Sequence, residues 1–123
     1  MDIIISNASN RPIYDQIASQ MKALIMTGEL AEGQQLPSIR ALANDLRISV
    51  ITTKRAYADL EAQGFIETVQ GKGSFVAGGN AELMREEHLR RIEELLGRAA
   101  DEAKTAGVSV AELHDMLDLV AGD

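Results

Sequence analysis

The sequence predicts a mainly α-helical chain carrying one small β-hairpin. Three observations lead there. Apolar residues recur at steps of three and four along several segments, the spacing of helices with one buried face. Ser38, Ser49 and Ser109 each stand just ahead of such a segment, where a hydroxyl can cap the free N–H groups of a first turn. In "GFIETVQGKGSFVAGG", residues 64–79, two β-prone runs flank Gly71-Lys72-Gly73, as in a hairpin turned by glycine.

Length and composition narrow the possibilities. The chain has 123 residues, enough for one small domain and an appendage, and 46% of them are hydrophobic, enough for a packed core. It has no cysteine, which excludes disulfides and thiolate metal sites and fits a reducing compartment. No apolar run approaches the roughly 20 residues that span a bilayer, and the N-terminus lacks the pattern of a signal peptide. A soluble cytoplasmic protein without a membrane partner is the expectation. The net charge of −7 argues against nucleic acid until the chain is divided. Residues 1–79 hold 7 Lys and Arg against 8 Asp and Glu, whereas residues 80–123 hold 5 against 11. The acidity lies in the last third, so the first part is free to present a basic surface.

Along the chain, Ile3-Ile4-Ile5 is a short β-prone run, followed by a polar stretch. Asn10 is the expected cap of a first helix, with Pro12 tolerated in its opening turn and Ile13, Ile17, Met21 and Leu24 on one stripe. Gly28 stops it. Ser38 caps a second helix with Ile39, Leu42, Ala43 and Leu46 turned inward. Ser49 caps a third, which runs to about Gln63 and buries Thr53, Ala56, Tyr57 and Leu60 before Gly64 ends it. The hairpin follows at once. Gly78-Gly79-Asn80 reads as a hinge. Beyond it Leu89, Ile92, Leu96, Ala99, Ala103 and Ala106 form a seam on a long helix closed by Gly107. Ser109 and Glu112 make a capping box for a last helix with Leu113, Met116, Leu117 and Val120 on one side.

Two short helices about three residues apart, with a helix before and a hairpin after, describe a winged helix-turn-helix. In that arrangement the second helix of the pair enters the DNA major groove and the hairpin reaches a neighbouring backbone or minor groove. The third helix suits the task. Its buried stripe leaves Val50, Ile51, Lys54 and Arg55 outside, near the end that also carries Ser49 and Thr52. Asp59 and Glu61 lie toward the other end. A purely structural amphipathic helix has no need of that asymmetry.

At these residues the chain resembles the GntR family of bacterial transcription regulators. "LPSIRALANDLRISVITTKRAYADLEAQGFIETVQGKGSFV" carries the resemblance, and "PIYDQI" at 12–17 matches the family's opening. The short tail, with Gly107-Val108-Ser109 between two helices, is similar to the YtrA-type subfamily, whose members carry only a two-helix dimerisation segment. The resemblance implies that Ser38 and Arg40 contact phosphates, with a base edge also within their reach. It places Ser49, Val50, Ile51, Thr52 and Lys54 at recognition-helix positions, and Gln70, Gly71, Lys72 and Gly73 in the wing. Val50 stands where related regulators often carry arginine or another polar group. Valine cannot donate to guanine but can pack on a thymine methyl.

The glycines of the opening stretch serve a turn. A nucleotide-binding P-loop needs four residues between its first glycine and Gly-Lys-Ser/Thr, and a helix afterwards. Here Lys72 is followed by Gly73-Ser74 and an apolar strand.

The division expected is therefore 1–77 as the winged helix-turn-helix, 78–80 as hinge and 81–123 as a helical dimerisation segment. Two helices of this length cannot make a core alone. Their apolar residues, Leu89, Ile92, Leu96, Ala99, Ala103, Leu113, Met116, Leu117 and Val120, are expected to meet a second copy, since symmetric half-sites call for a two-fold dimer. A helical cap folded on its own domain is the alternative. His88 and His114 lie on different helices without a ligand set at metal spacing, and His114-Asp115 points apart, so neither a metal nor a catalytic triad is expected. No cofactor and no enzymatic activity are expected. The reading is a homodimeric DNA-binding regulator, a repressor at a two-fold operator, with a protein-interaction adaptor on the same scaffold as the rival. The residues specify neither an effector nor the operator.

Overall fold

The computed structural model describes residues 1–79 and 81–122. Asn80 of the expected hinge and Asp123 of the expected dimerisation segment lie outside the described residues. Five α-helices and one antiparallel hairpin appear in the order α1 (Ile13–Thr27), α2 (Ile39–Leu46), α3 (Val50–Ala62), β1 (Ile66–Val69), β2 (Gly73–Val76), α4 (Ala81–Ala106) and α5 (Val110–Ala121). The chain divides into two compact units, Met1–Ala81 and Glu82–Asp123. Among the described residues no helix is long and apolar enough to cross a membrane.

In the first unit α1 and α2 both pack on α3. The core between them and the hairpin holds Ile17, Met21, Leu60, Phe65, Ile66 and Val76, and α2 adds Leu42 and Ala43. Helix α1 buries Ile17, Ala18, Met21 and Ile25. Ile25, not the expected Leu24, therefore completes its stripe, because Ile17, Met21 and Ile25 follow a steady step of four. Asn10 is not the cap. Pro12 occupies that position in an extended conformation, and its carbonyl accepts from the N–H groups of Asp15 and Gln16, both at 3.1 Å. Proline's fixed φ suits the start of a helix without a capping side chain.

The run Ile3-Ile4-Ile5 is not a strand. Two glutamines one turn apart on α1 take the place of a pairing strand. Gln20 Oε1 accepts from Ile4 N at 2.9 Å while Gln20 Nε2 donates to Ile4 O at 2.7 Å. Gln16 does the same for Ser6, at 2.9 Å and 3.0 Å. A primary amide offers the same donor and acceptor as a peptide unit, so the arm is held in place with Ile3 buried beneath it.

Both short helices are capped as the sequence predicts. Ser38 Oγ accepts from Ala41 N, and Ser49 Oγ from Thr52 N, each at 3.1 Å. Arg47 makes the turn between them in the left-handed region, at φ 56°. Its N–H and that of Ile48 both reach the carbonyl of Ala43, closing α2. Helix α3 buries Thr53, Ala56, Tyr57 and Leu60, the stripe expected.

Tyr57 is 3% exposed and its hydroxyl donates to Pro37 O at 2.7 Å, tying α3 to the residue ahead of α2. Burial pushes its pKa from 10.0 up to about 12. The unfolded chain gives up this proton near pH 10 while the folded chain keeps it, so the stabilisation is whole below the unfolded value and lost as pH rises through about 12. Tyr57→Phe should cost about 1 kcal/mol at neutral pH by leaving the Pro37 carbonyl unpaired. It should also remove about 2 kcal/mol of the wild type's loss of stability on the alkaline side. Urea titrations of both proteins from pH 7 to 11 measure the difference.

The hairpin is not alone. β1 and β2 pair with Ile66 opposite Val76 and Val69 opposite Gly73, and residues 33–36 run antiparallel along the other edge of β2. Leu36 N donates to Ser74 O at 2.8 Å, Val76 N to Gln34 O at 2.9 Å, and Gly33 N to Val76 O at 2.9 Å. This segment lacks the apolar alternation of a strand, so the sequence gave no warning of it.

In the second unit Val108 N bonds Ala103 O at 2.8 Å across the turn at Gly107, and Ser109 Oγ accepts from Glu112 N at 3.1 Å to start α5. Of its apolar side chains only Ala103 is buried.

Candidate nucleic-acid interface

On α3 the buried stripe leaves the opposite face to solvent. Ile51 is 80% exposed and Val50 45%, with Lys54 and Arg55 exposed one turn on. Large apolar groups at the leading end of a helix, beside two cations, are out of place on a face meant only for water. Thr52 is half-buried, and its Oγ1 accepts from Ser49 Oγ at 2.8 Å, which fixes both hydroxyls at the cap. The acidic end is held apart from this cluster. Glu61 accepts from Thr68 Oγ1 at 3.1 Å and so turns toward β1.

Ser38 and Arg40 are exposed at the start of α2. Among the described residues no carboxylate lies within ion-pair distance of Arg40, Lys54 or Lys72. Their charges are available to a partner. Arg55 differs, because its guanidinium lies 3.7 Å from the centre of the Tyr14 ring and donates from Nη2 to the Tyr14 hydroxyl at 3.0 Å. The sequence reading placed Arg55 on the outer face and missed Tyr14, which is 41 residues away.

The wing turns through Gln70, Gly71 and Lys72, all exposed. Gly71 adopts φ 79° at the third position of a turn closed by Lys72 N donating to Val69 O at 2.9 Å, a geometry that costs a residue with a Cβ. Gly73 has φ 118°, and a Cβ there would lie 2.9 Å from Gln35 Nε2. That amide donates to Lys72 O at 2.8 Å. Gln35 therefore ties the wing tip to the segment ahead of α2, a link that the sequence reading did not find. Its only sequence signal is the polar residue just before Leu36-Pro37-Ser38.

The remaining site residues belong to the second unit. Leu89, Ile92, Leu96, Met116, Leu117 and Val120 are all large, apolar and exposed, between 44% and 85%. Ala99 is exposed, Leu113 half-buried and Ala103 buried. An apolar cleft of about 410 Å³ between α4 and α5 is lined by Leu96, Ala99, Leu113, Met116, Leu117 and Val120, among others.

With this geometry in hand, the chain can be set beside known proteins. Residues 13–76 match the model of the bacterial regulatory proteins of the gntR family. The chain belongs to the gntR family. The match spans α1 through β2, all the elements that place the exposed face of α3 and the wing. A gntR-type relative, the HTH-type transcriptional repressor YtrA of Bacillus subtilis, is 35% identical over 98% of this chain and 93% of its own length. That coverage takes in the two-helix tail and agrees with the YtrA-type subfamily. The structure of a transcriptional regulator from Oenococcus oeni superposes with a TM-score of 0.81 at 30% identity, covering 96% of this chain and 98% of that one. The DNA-binding domain of AraR, in complex with operator ORX1, aligns with a TM-score of 0.56 at 28% identity over 63% of this chain and 96% of its own.

Proposed function

We propose that this gntR-family regulator binds a two-fold DNA operator as a homodimer and represses transcription by occluding a promoter. The observation that carries the reading is the leading end of α3. It presents Val50, Ile51 and an uncompensated Lys54 to solvent beside a glycine-turned wing tipped by Lys72. In this reading Arg40, Lys54 and Lys72 meet phosphates, helped by the Ser38 hydroxyl. Ser49, Val50, Ile51 and Thr52 face base edges. Gln70, Gly71 and Gly73 let the wing backbone approach the duplex.

Val50 and Ile51 give the base contacts an apolar character, so thymine methyls are the features they would recognise. The tail helices supply the second copy, and their acidic outer residues, Glu86 and Glu93 among them, keep that end away from DNA. The same reading places the protein in the cytoplasm and gives it no catalytic role. The similarity to a repressor along nearly the whole chain, and to a domain bound to its operator, supports regulation by DNA binding. No observation favours the adaptor.

Selection of bound sites from a random duplex pool tests this directly. Two half-sites related by a dyad should be enriched, and affinity for them should fall steeply with salt as phosphate counterions are released. A pool that stays random, or binding indifferent to salt, would remove the proposal.

A further inference from the structure

Most surface arginines that serve only the fold pair with a carboxylate, as Arg11 does with Asp15 at 2.7 Å one helix away. Arg55 does not. Its partners are the ring of Tyr14, 3.7 Å away, and the Tyr14 hydroxyl at 3.0 Å. An aromatic face and a phenol oxygen hold a guanidinium in position without cancelling its charge. Only one of its N–H groups is needed for the hydroxyl, so others remain to donate. The side chain leaves the exposed face of α3 next to Lys54, and Tyr14 comes from the first turn of α1. Rotamer freedom that a loose arginine would lose on binding has already been removed.

We propose that Tyr14 is a positioning residue for DNA: by stacking on and hydrogen-bonding Arg55, it presets that guanidinium for one phosphate of the duplex. The inference rests on the DNA-binding reading and adds a residue outside the recognition helix and the wing. It also separates Arg55 from Lys54, which acts without such a support.

The test is operator affinity measured across a range of salt for wild type, Tyr14→Phe, Arg55→Ala and the double variant, with Lys54→Ala alongside. Arg55→Ala should weaken binding about tenfold and lower the salt slope by about 0.9, the signature of one lost phosphate contact. Tyr14→Phe keeps the ring and loses the hydroxyl, and should weaken binding about threefold in the wild type. In the Arg55→Ala background it should do nothing further. An unchanged slope in Arg55→Ala overturns the proposal, and so does an equal penalty from Tyr14→Phe in both backgrounds, which would mean that Tyr14 acts through the fold of α1. If Lys54→Ala lowers the slope while Arg55→Ala does not, DNA binding stands and only the Tyr14 inference fails. If wild type binds no duplex, both fail together.

Discussion

Leu96→Glu with Leu117→Glu should convert the protein from dimer to monomer and reduce operator affinity by about two orders of magnitude or more. The two side chains are 50% and 47% exposed in the single chain, so charge there burdens no core of the monomer. In a dimer the same carboxylates would be buried without partners, and the interface would not form. Loss of affinity follows from loss of linkage. A second half-site bound by a tethered copy costs far less association entropy than one bound by a free copy. Sedimentation checks the first step and a gel shift the second, with helical content by circular dichroism as the control for folding. A double variant that still sediments as a dimer would show that this face is not the interface.

Arg40→Ala with Lys54→Ala should weaken binding about a hundredfold on every duplex, specific or not. Both cations are exposed and lie outside ion-pair distance of any described carboxylate, so removing them takes nothing from the fold. What is lost is counterion release at two phosphates in each copy. The slope of affinity against salt should fall by about 0.9 for each contact removed. Ile51→Ala should behave in the opposite sense, with a small loss on the best operator and none on random DNA, because an apolar contact to a base edge carries sequence information and a phosphate contact does not. Filter binding at several salt concentrations, on the selected operator and on unrelated duplex, separates the two behaviours. Unchanged operator binding by the double variant would contradict the placing of α2 and α3 on DNA.

How much was legible in the sequence varied with the range of the interaction. The caps at Ser38, Ser49 and Ser109, the buried stripe of α3 and the glycine turn of the wing are all set by residues within one or two turns of each other, and each appears as read. The start of α1 was misplaced because Asn10 has the better capping side chain while Pro12 has the better backbone, and backbone geometry won. Ile3-Ile4-Ile5 has the composition of a strand but no strand beside it, and two glutamine amides on α1 satisfy its backbone instead.

By itself the sequence determined which residues form helices, which faces are apolar, and that a cationic, hydroxyl-bearing helix end lies next to a flexible turn. Period and capping are local, and local rules can be read one residue after another. Only the tertiary structure decided that residues 33–36 extend the wing, that Gln35 pins its tip, and that Tyr14 holds Arg55. Those contacts join positions about forty residues apart through hydrogen bonds and a ring face. Nothing in the spacing of a linear pattern encodes such a meeting, because it exists only once the helices between have packed.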